Sequence, residues 1–153
     1  MIKEGAPAPN FSLPSTSGET VSLADFRGKQ AVVLYFYPKD STPGCTVEAC
    51  SFRDNLVEVQ ELGAAVLGVS PDSVKSHANF TQKQNLNFPL LADTERELAN
   101  AYGVWVEKKQ YGRTYMGIER STFLIDTDGT IKKIWRKVTP KVHVAEVIAA
   151  LKS

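Results

Sequence analysis

The hydrophobic pattern of the chain is dominated by two runs of apolar residues, AVVLYFY at 31–37 and AAVLGVS at 64–70. Short apolar runs without polar alternation are typical of strands that are buried on both faces of a sheet. Between them, Thr42 is the predicted N-cap of a helix that begins at Pro43 and continues to about Leu62. The pattern therefore predicts a strand, a helix and a second buried strand in succession.

The rest of the chain also divides into recognisable elements. A short N-terminal hairpin is predicted over FSLPSTSGETVSL, with Ser17 and Gly18 near its turn. A helix from about Asp72 to Gln84 precedes a short strand, FPLLAD. The other predicted elements are a helical turn in LADFRGK, a helix in ERELANAYG, a hairpin in STFLIDTDGTIKKIWRK and a terminal amphipathic helix in VHVAEVIAALK.

This order of elements predicts the fold class. Strands that alternate with helices, followed by an antiparallel hairpin and a last helix, indicate an α/β fold with a central mixed β-sheet and helices on both faces. A thioredoxin-like fold with an N-terminal β-hairpin fits the order well, although the pattern alone leaves a flavodoxin-like fold open. No repeat or linker interrupts the chain, and we expect one domain over residues 1–153.

Composition and charge exclude several functional classes. The chain has 42% apolar and 23% charged residues with a formal net charge of +1, and its basic residues are scattered. A nucleic-acid binder is therefore not expected. The longest apolar run is too short to cross a bilayer, and the N-terminal stretch lacks the apolar core of a signal peptide. We expect a cytoplasmic protein that does not associate with membranes.

The two cysteines of the chain, Cys45 and Cys50, lie five residues apart within the predicted helix. On an ideal helix, residues at this spacing have Cα atoms about 8.6 Å apart. A disulfide needs Cα atoms within about 7 Å. The two thiols therefore cannot join while the helix is intact, and a bridge between them requires the first helical turns to unwind.

The two thiols are predicted to differ in reactivity. Cys45 occupies about the third helical position, where backbone N–H groups lack intrahelical partners and the helix dipole favours an anion. Cys50 lies deeper in the helix and gains neither effect. Cys45 is thus placed to act as a thiolate. The alternative is that both residues are small buried hydrophobic side chains without a chemical role.

Other cysteine chemistries fit the sequence less well. A zinc site needs about four ligands, and the two histidines, His77 and His143, are distant in sequence from the cysteines. A cysteine hydrolase needs a histidine base beside the thiol, and both histidines are predicted to lie on the surface. A reversible dithiol carrier favours a two-residue gap between its cysteines, which is absent here.

The sequence around Cys45 resembles the active-site motif of a known family. YPKDSTPGCTVEACSFRD (37–54) carries Pro38-x-x-x-Thr42-x-x-Cys45, which is similar to the motif of the peroxiredoxins. The nearest branch is peroxiredoxin Q, also called bacterioferritin-comigratory protein, in which a second cysteine follows five residues later. GAPAPNFSL, YGVW and GIERSTFLID also resemble that branch, so the likeness covers nearly the whole chain.

The resemblance implies a thioredoxin fold, thiol-dependent reduction of hydroperoxides and a role for each motif residue. Cys45 would be the peroxidatic thiolate, which a peroxide oxidises to a sulfenic acid. Thr42 would hydrogen-bond the peroxide, Arg120 would stabilise the thiolate and bind a peroxide oxygen, and Pro38 would shield the sulfur. Cys50 would resolve the oxidised Cys45 as an intramolecular disulfide.

The resemblance also implies the partners. The cysteine chemistry of the family calls for no metal or cofactor, and an external dithiol protein, thioredoxin in the first place, would reduce the disulfide. Members of the branch are monomers or dimers, and we expect a monomer here. The alternative function is a non-catalytic thioredoxin-fold redox sensor, in which oxidation of Cys45 alters a binding surface without turnover.

Overall fold

The computed structural model describes residues 2–153, and its centre is a mixed five-stranded sheet. The strands of this range are β1 (Ser12–Pro14), β2 (Thr20–Ser22), β3 (Ala31–Phe36), β4 (Ala64–Ser70), β5 (Leu90–Ala92), β6 (Trp105–Gln110), β7 (Arg113–Ile118), β8 (Ser121–Ile125) and β9 (Ile131–Arg136). The α-helices are α1 (Pro43–Glu61), α2 (Val74–Gln84), α3 (Glu97–Ala101) and α4 (His143–Lys152). A 3-10 turn, Leu23–Asp25, follows β2.

The central sheet has the strand order β5-β4-β3-β8-β9. The strands β3, β4 and β5 are parallel, whereas β8 is antiparallel to β3 and β9 is antiparallel to β8. The two apolar runs of the sequence form β3 and β4 at the middle of this sheet. Since a mixed sheet with this antiparallel hairpin is the thioredoxin-like arrangement, the predicted fold class is confirmed.

Two hydrophobic layers cover the two faces of the sheet. Alternate side chains of β3 divide between them, with Leu34 and Phe36 in one layer and Val33 and Tyr35 in the other. The helices α1, α2 and α4 pack on the second face, while α3 and the N-terminal β1–β2 hairpin cover the first. This double coverage explains why β3 and β4 read as continuous apolar runs.

A two-stranded ribbon, β6–β7, is a feature that the sequence analysis does not predict. Its strands pair only with each other, and most of their side chains are exposed. The connecting residues Tyr111 and Gly112 both have positive φ, at 52° and 73°. Two successive residues in this conformation form the tight hairpin turn whose backbone twist matches that of paired strands. The weak apolar alternation of the ribbon conceals it, and Tyr111-Gly112 is its one local signal.

The strand register determines which segments meet beyond the end of β3. Phe36, the last residue of β3, pairs with Ser121, the first residue of β8. The loop that leads into α1 therefore lies at the same end of the sheet as Arg120, the residue before β8. No helix in residues 2–153 is long and apolar enough to span a membrane.

Candidate active site

Cys45 lies at the beginning of α1, almost completely buried at 1% exposure. Pro43 is the first helical residue, and the N–H of Thr46 donates to the carbonyl of Thr42 at 2.9 Å. The N–H groups of Gly44 and Cys45 thus precede the first intrahelical bond. The predicted position of Cys45, third in the helix, is confirmed. Its sulfur is placed where the helix dipole favours an anion.

Arg120, the residue before β8, contacts Cys45 at this end of the sheet. Its Nη2 donates to the sulfur of Cys45 at 3.2 Å, and its Nη1 donates to Oε1 of Glu48 at 2.8 Å. The two nitrogens of one planar guanidinium therefore bind two groups on neighbouring turns of α1. A cation in this position stabilises negative charge on the sulfur.

Glu48 is a site residue that the sequence analysis missed. It follows Cys45 by three residues and so lies on the same face of α1, which is the signal that could have identified it. Its side chain is fully buried, and among residues 2–153 its Oε2 has no hydrogen-bond partner. Burial raises the pKa of Glu48 to about 7, an effect that the nearby Arg120 only partly offsets. The carboxyl group is thus a buried acid that titrates near neutral pH.

Thr42 is the N-cap residue of α1, as predicted, but its hydroxyl does not cap the helix. The Oγ1 donates instead to the carbonyl of Lys39 at 2.9 Å. Pro38 lies half-buried two residues beyond the end of β3. The roles that the resemblance implies for Thr42 and Pro38 remain predictions.

Cys50 lies half-buried on the same continuous helix, and both thiols are free. Its sulfur is 3.5 Å from Oε1 of Gln84, at the end of α2. Because α1 is intact from Pro43 to Glu61, the helical spacing computed for the two cysteines applies to this structure. A bridge between them requires local unwinding of α1.

The prediction that both histidines are surface residues is wrong. The side chains of His77 and His143 are completely buried. His143 contacts the hydroxyl of Thr122 through Nε2 at 2.7 Å and Glu146 through Nδ1 at 3.3 Å. His77 lies among polar residues of its helix and His143 is the first residue of the last helix, and neither local pattern reveals their contacts with distant parts of the sheet. Neither of them contacts a cysteine sulfur through the hydrogen bonds of residues 2–153.

His77 belongs to a buried polar cluster behind the loop that precedes α1. Its Nδ1 is 2.7 Å from Oδ2 of Asp40, and its Nε2 is 2.9 Å from the carbonyl of Leu91. Tyr37 donates its hydroxyl to the other oxygen of Asp40 at 2.6 Å, and Asp72 accepts the N–H of Asp40 at 2.8 Å. Burial acts to raise the pKa of Asp40, but the hydrogen bonds from His77 and Tyr37 lower it below its ordinary value.

The same cluster can be tested as a metal site. Ligand atoms of Asp40, Asp72 and His77 lie within 4.8 Å of one another. Both ring nitrogens of His77, however, are already in hydrogen-bond contact with protein oxygens, Oδ2 of Asp40 and the carbonyl of Leu91. The cluster fits a buried hydrogen-bond network that fixes the loop after β3.

An open groove of about 680 Å³ leads to Arg120 from the surface. The β6–β7 ribbon forms one wall of the groove, and Lys137 and Val138 contribute to the other. A substrate can therefore approach the guanidinium from this side. The ribbon that the sequence did not predict thus lies beside Arg120, which contacts the sulfur of Cys45.

These features define a class of protein. A buried thiol at the start of the helix that follows the central strand, with an arginine on its sulfur, is the site of a thiol-based redox enzyme on a thioredoxin fold.

Comparison with known proteins identifies the family. Residues 5–134 match the AhpC/TSA family. The chain is 56% identical over 151 residues to peroxiredoxin Bcp of Bacillus subtilis and 46% identical over 151 residues to peroxiredoxin Bcp of Escherichia coli, in each case covering 99% of this chain and 96% of the relative. The chain belongs to the AhpC/TSA family of peroxiredoxins, which are thiol peroxidases.

Solved structures agree with this assignment. Peroxiredoxin Q of Xanthomonas campestris matches with a TM-score of 0.88 at 46% identity, covering 93% of this chain and 89% of the other. A peroxiredoxin Q variant from Xylella fastidiosa matches with a TM-score of 0.91 at 39% identity, covering 99% and 98%. A further Xanthomonas campestris structure is described in terms of the alkyl peroxide reduction activity of its bacterioferritin comigratory protein. The resemblance stated from the sequence motif is confirmed.

Proposed function

We propose that the protein reduces hydrogen peroxide and alkyl hydroperoxides through Cys45, with Cys50 as the resolving thiol and thioredoxin as the reductant. The observation that carries this proposal is the 3.2 Å contact between Nη2 of Arg120 and the sulfur of Cys45. A thiolate is the nucleophile in such chemistry, and a fixed cation at the sulfur favours that form. The relative that is described for alkyl peroxide reduction supports the same substrate class.

In the first step the Cys45 thiolate attacks the terminal oxygen of the hydroperoxide. The O–O bond breaks, a sulfenic acid forms on Cys45, and the leaving oxygen takes up a proton to give water or an alcohol. The guanidinium of Arg120 has five N–H donors, and those not used on Cys45 and Glu48 bind a peroxide oxygen in the same plane. Thr42 donates its hydroxyl to the peroxide once it turns away from Lys39, and Pro38 limits access of water to the sulfur.

In the second step α1 unwinds from its N-terminus, and the Cys50 thiol attacks the sulfur of Cys45. A disulfide forms and one water leaves. A dithiol protein then reduces the disulfide by exchange, which returns both thiols and allows the helix to reform. We propose that this cycle runs in the cytoplasm, where thioredoxin would reduce the disulfide. We also propose that the protein acts as a monomer, since the two cysteines that form the disulfide belong to one chain.

Mass spectrometry after one equivalent of hydrogen peroxide tests the assignment of the two cysteines. The wild-type chain is expected to lose two hydrogens and to yield a peptide pair bridged between Cys45 and Cys50. The Cys50→Ser variant is expected to stop at the sulfenic acid, and the Cys45→Ser variant to remain unoxidised. Two free thiols in the treated wild-type chain would contradict the proposal.

Turnover separates a peroxidase with this cycle from a redox sensor. With thioredoxin, thioredoxin reductase and NADPH, we expect continued peroxide consumption at a rate that depends on the thioredoxin concentration. A single stoichiometric burst would instead favour the sensor. Replacement of thioredoxin by another dithiol protein in the same assay tests the choice of reductant.

A further inference from the structure

The turn of α1 that carries Cys50 is tied to the end of α2 by two contacts. The sulfur of Cys50 lies 3.5 Å from Oε1 of Gln84, the last residue of α2. One turn further along α1, Nη1 of Arg53 donates to the main-chain carbonyl of Gln84 at 2.6 Å. The carbonyl of Arg53 in turn accepts the side-chain amide of Asn87 at 3.2 Å. A single residue of α2 therefore holds both the resolving thiol and the turn behind it.

The two contacts differ in strength. A thiol is a weak hydrogen-bond donor, so the contact of Cys50 with Gln84 is the weaker one. The contact of Arg53 is short and charge-assisted, and it satisfies a carbonyl at the C-terminus of α2, where the helix dipole favours a cation. When α1 unwinds, the Cys50 contact is therefore the one that breaks.

The two contacts also differ in position relative to the segment that must unwind. Cys50 has to leave Gln84 in order to approach Cys45. Arg53 lies three residues beyond Cys50, outside the stretch between the two cysteines, so that its contact with Gln84 can persist in the disulfide form. The contact of Cys50 with Gln84 therefore has to break when the disulfide forms, whereas the contact of Arg53 with Gln84 can remain.

We propose that Gln84 and Arg53 are positioning residues for the resolving step. The Gln84 side chain holds the Cys50 thiol in the folded helix and delays its attack on Cys45. Arg53 fixes the turn at which the unwinding of α1 ends, which keeps Cys50 close to Cys45 instead of releasing it on a longer flexible segment. The inference rests on the proposed role of Cys50 as the resolving thiol.

The hold on Cys50 is tested by the Gln84→Leu variant, with Gln82→Leu on the same helix as its matched control because Gln82 is exposed and makes no such contact. In a Cys45→Ser background, which has no peroxidatic thiol, Gln84→Leu is expected to raise the rate of Cys50 alkylation by iodoacetamide about threefold, as loss of a weak hydrogen bond implies. Gln82→Leu is expected to leave that rate unchanged.

The same two variants are then compared with Cys45 present. Rapid-quench mass spectrometry resolves formation of the sulfenic acid from formation of the disulfide. Gln84→Leu is expected to accelerate the second step about threefold and to leave the first unchanged. Generally weakened packing would not produce a gain confined to one step. Equal rates of alkylation and of disulfide formation in Gln84→Leu and wild type would overturn the hold on Cys50.

The limit of unwinding is tested by hydrogen exchange in the disulfide form. In the wild type, the amides of residues 54–58 are expected to stay protected after oxidation. In Arg53→Met, which keeps the length of the side chain without its charge, these amides are expected to exchange at least about tenfold faster in the disulfide form only. Asp54→Asn is the control, because it removes the exposed partner of Arg53 and leaves the Gln84 contact. If these amides stay protected in oxidised Arg53→Met, Arg53 does not set the point at which the unwinding of α1 ends.

Failure of this inference is distinguishable from failure of the proposed cycle. If wild-type chain forms no bridge between Cys45 and Cys50, the inference falls with its premise. If the bridge forms but the Gln84 and Arg53 variants behave as the wild type, the cycle stands and the inference alone is wrong.

Discussion

The guanidinium of Arg120 binds two groups that compete for its charge, the sulfur of Cys45 and the carboxyl group of Glu48. Gly44, directly before Cys45, also affects the guanidinium, because a Cβ there would lie 3.2 Å from Nη2 of Arg120. A side chain at this position would therefore require the guanidinium to shift by a few tenths of an ångström. The guanidinium is thus positioned by its two hydrogen-bond acceptors and by its close approach to Gly44.

The Arg120→Lys variant tests whether the two contacts of the guanidinium, with Cys45 and with Glu48, are needed for the reaction. Lysine keeps the charge but has one nitrogen, and it cannot bind Cys45 and Glu48 from fixed directions at once. We expect the second-order rate constant of sulfenic acid formation to fall by about 100-fold, as is typical for loss of an aligned donor at a reacting centre. Stopped-flow measurement of peroxide consumption gives this rate.

Arg136→Lys is the matched control for that variant. Arg136 contacts Glu119 at 3.8 Å on the surface and does not reach the site, so the same substitution there is expected to leave the rate unchanged. A similar loss of rate in both variants, or no loss in Arg120→Lys, would contradict the role of the two guanidinium contacts.

Glu48 gives stability a defined dependence on pH. Its folded pKa of about 7 lies above the ordinary value of 4.5 because the carboxyl group is buried. Between these values the folded state binds more protons than the unfolded state, so stability is highest below pH 4.5 with respect to this group and falls as pH rises to 7. The shift corresponds to roughly 3 kcal/mol.

The Glu48→Gln variant removes this dependence, since glutamine still accepts from Arg120 but does not ionise. Urea unfolding at pH 5 and pH 8 is expected to show the variant losing less stability than the wild type across that range. Glu58→Gln, at an exposed position of the same helix, is the control and should follow the wild type. Parallel pH profiles of Glu48→Gln and wild type would count against the prediction.

At the residue scale, the sequence predicts the site only as far as local rules extend. The place of Cys45 follows from Pro43 and the strand before it, and Arg120 follows from the resemblance. Glu48 is accessible in principle through helical spacing. The contacts of His77 depend on chain segments far away in sequence, and no local pattern contains them.

At the scale of elements, the proposed cycle requires the first turns of α1 to unwind while its later turns stay helical. Substitutions that change helix propensity on the exposed face of α1 should therefore change the rate of disulfide formation. Val47 and Val57 are both exposed β-branched residues of α1, at 42% and 68% exposure, one between the two cysteines and one beyond them. The same substitution at both positions separates the two halves.

Val47→Ala is expected to slow disulfide formation about twofold, because alanine stabilises helix by about 0.5 kcal/mol over valine and this gain is lost on unwinding. A slower second step leaves Cys45 longer as sulfenic acid, so more sulfinic acid should accumulate at high peroxide. Val57→Ala should stabilise the helix equally and change neither quantity. Quench-flow mass spectrometry measures both products, and equal effects at the two positions would contradict a boundary between the halves.

The predictability of elements follows from their burial. Strands β3 and β4 are recognisable because both of their faces are covered, and α1 because proline and threonine mark its start. The β6–β7 ribbon is exposed on much of its surface and packs on little, so that its sequence carries no strong apolar alternation. The β6–β7 ribbon, which forms a wall of the groove, is thus the element that the hydrophobic pattern of the sequence predicts least well.

At the scale of the whole molecule, the two buried histidines join helices to the sheet at separate places. His77 links α2 to the loop after β3 and to Leu91 of β5, while His143 links α4 to Thr122 of β8. The folded state therefore depends on polar contacts between elements that are distant in sequence. Because the side chain of His143 is buried, its ionisation is coupled to the stability of the fold.

His143 and Glu48 act on stability with opposite sign. Burial lowers the pKa of His143 below its ordinary value of 6.5, an effect that the contact with Glu146 partly offsets. As pH falls through 6.5, the unfolded chain takes up a proton that the folded chain resists, so stability is lost on the acid side. Glu48 contributes the opposite slope, and in the wild type the two partly cancel between pH 5.5 and 7.

The Glu48→Gln background isolates the contribution of His143. In that background, stability from urea unfolding should rise between pH 5.5 and pH 7.5. The additional substitution His143→Gln, which retains a donor and an acceptor near Thr122, should lower stability at pH 7.5 but flatten the rise. The destabilisation caused by His143→Gln is thus expected to be smaller at pH 5.5 than at pH 7.5. An equal destabilisation at both pH values would show that His143 does not titrate against the fold, and the acid-side loss would then belong to the carboxylates, with Asp40 and its lowered pKa as the first to be substituted.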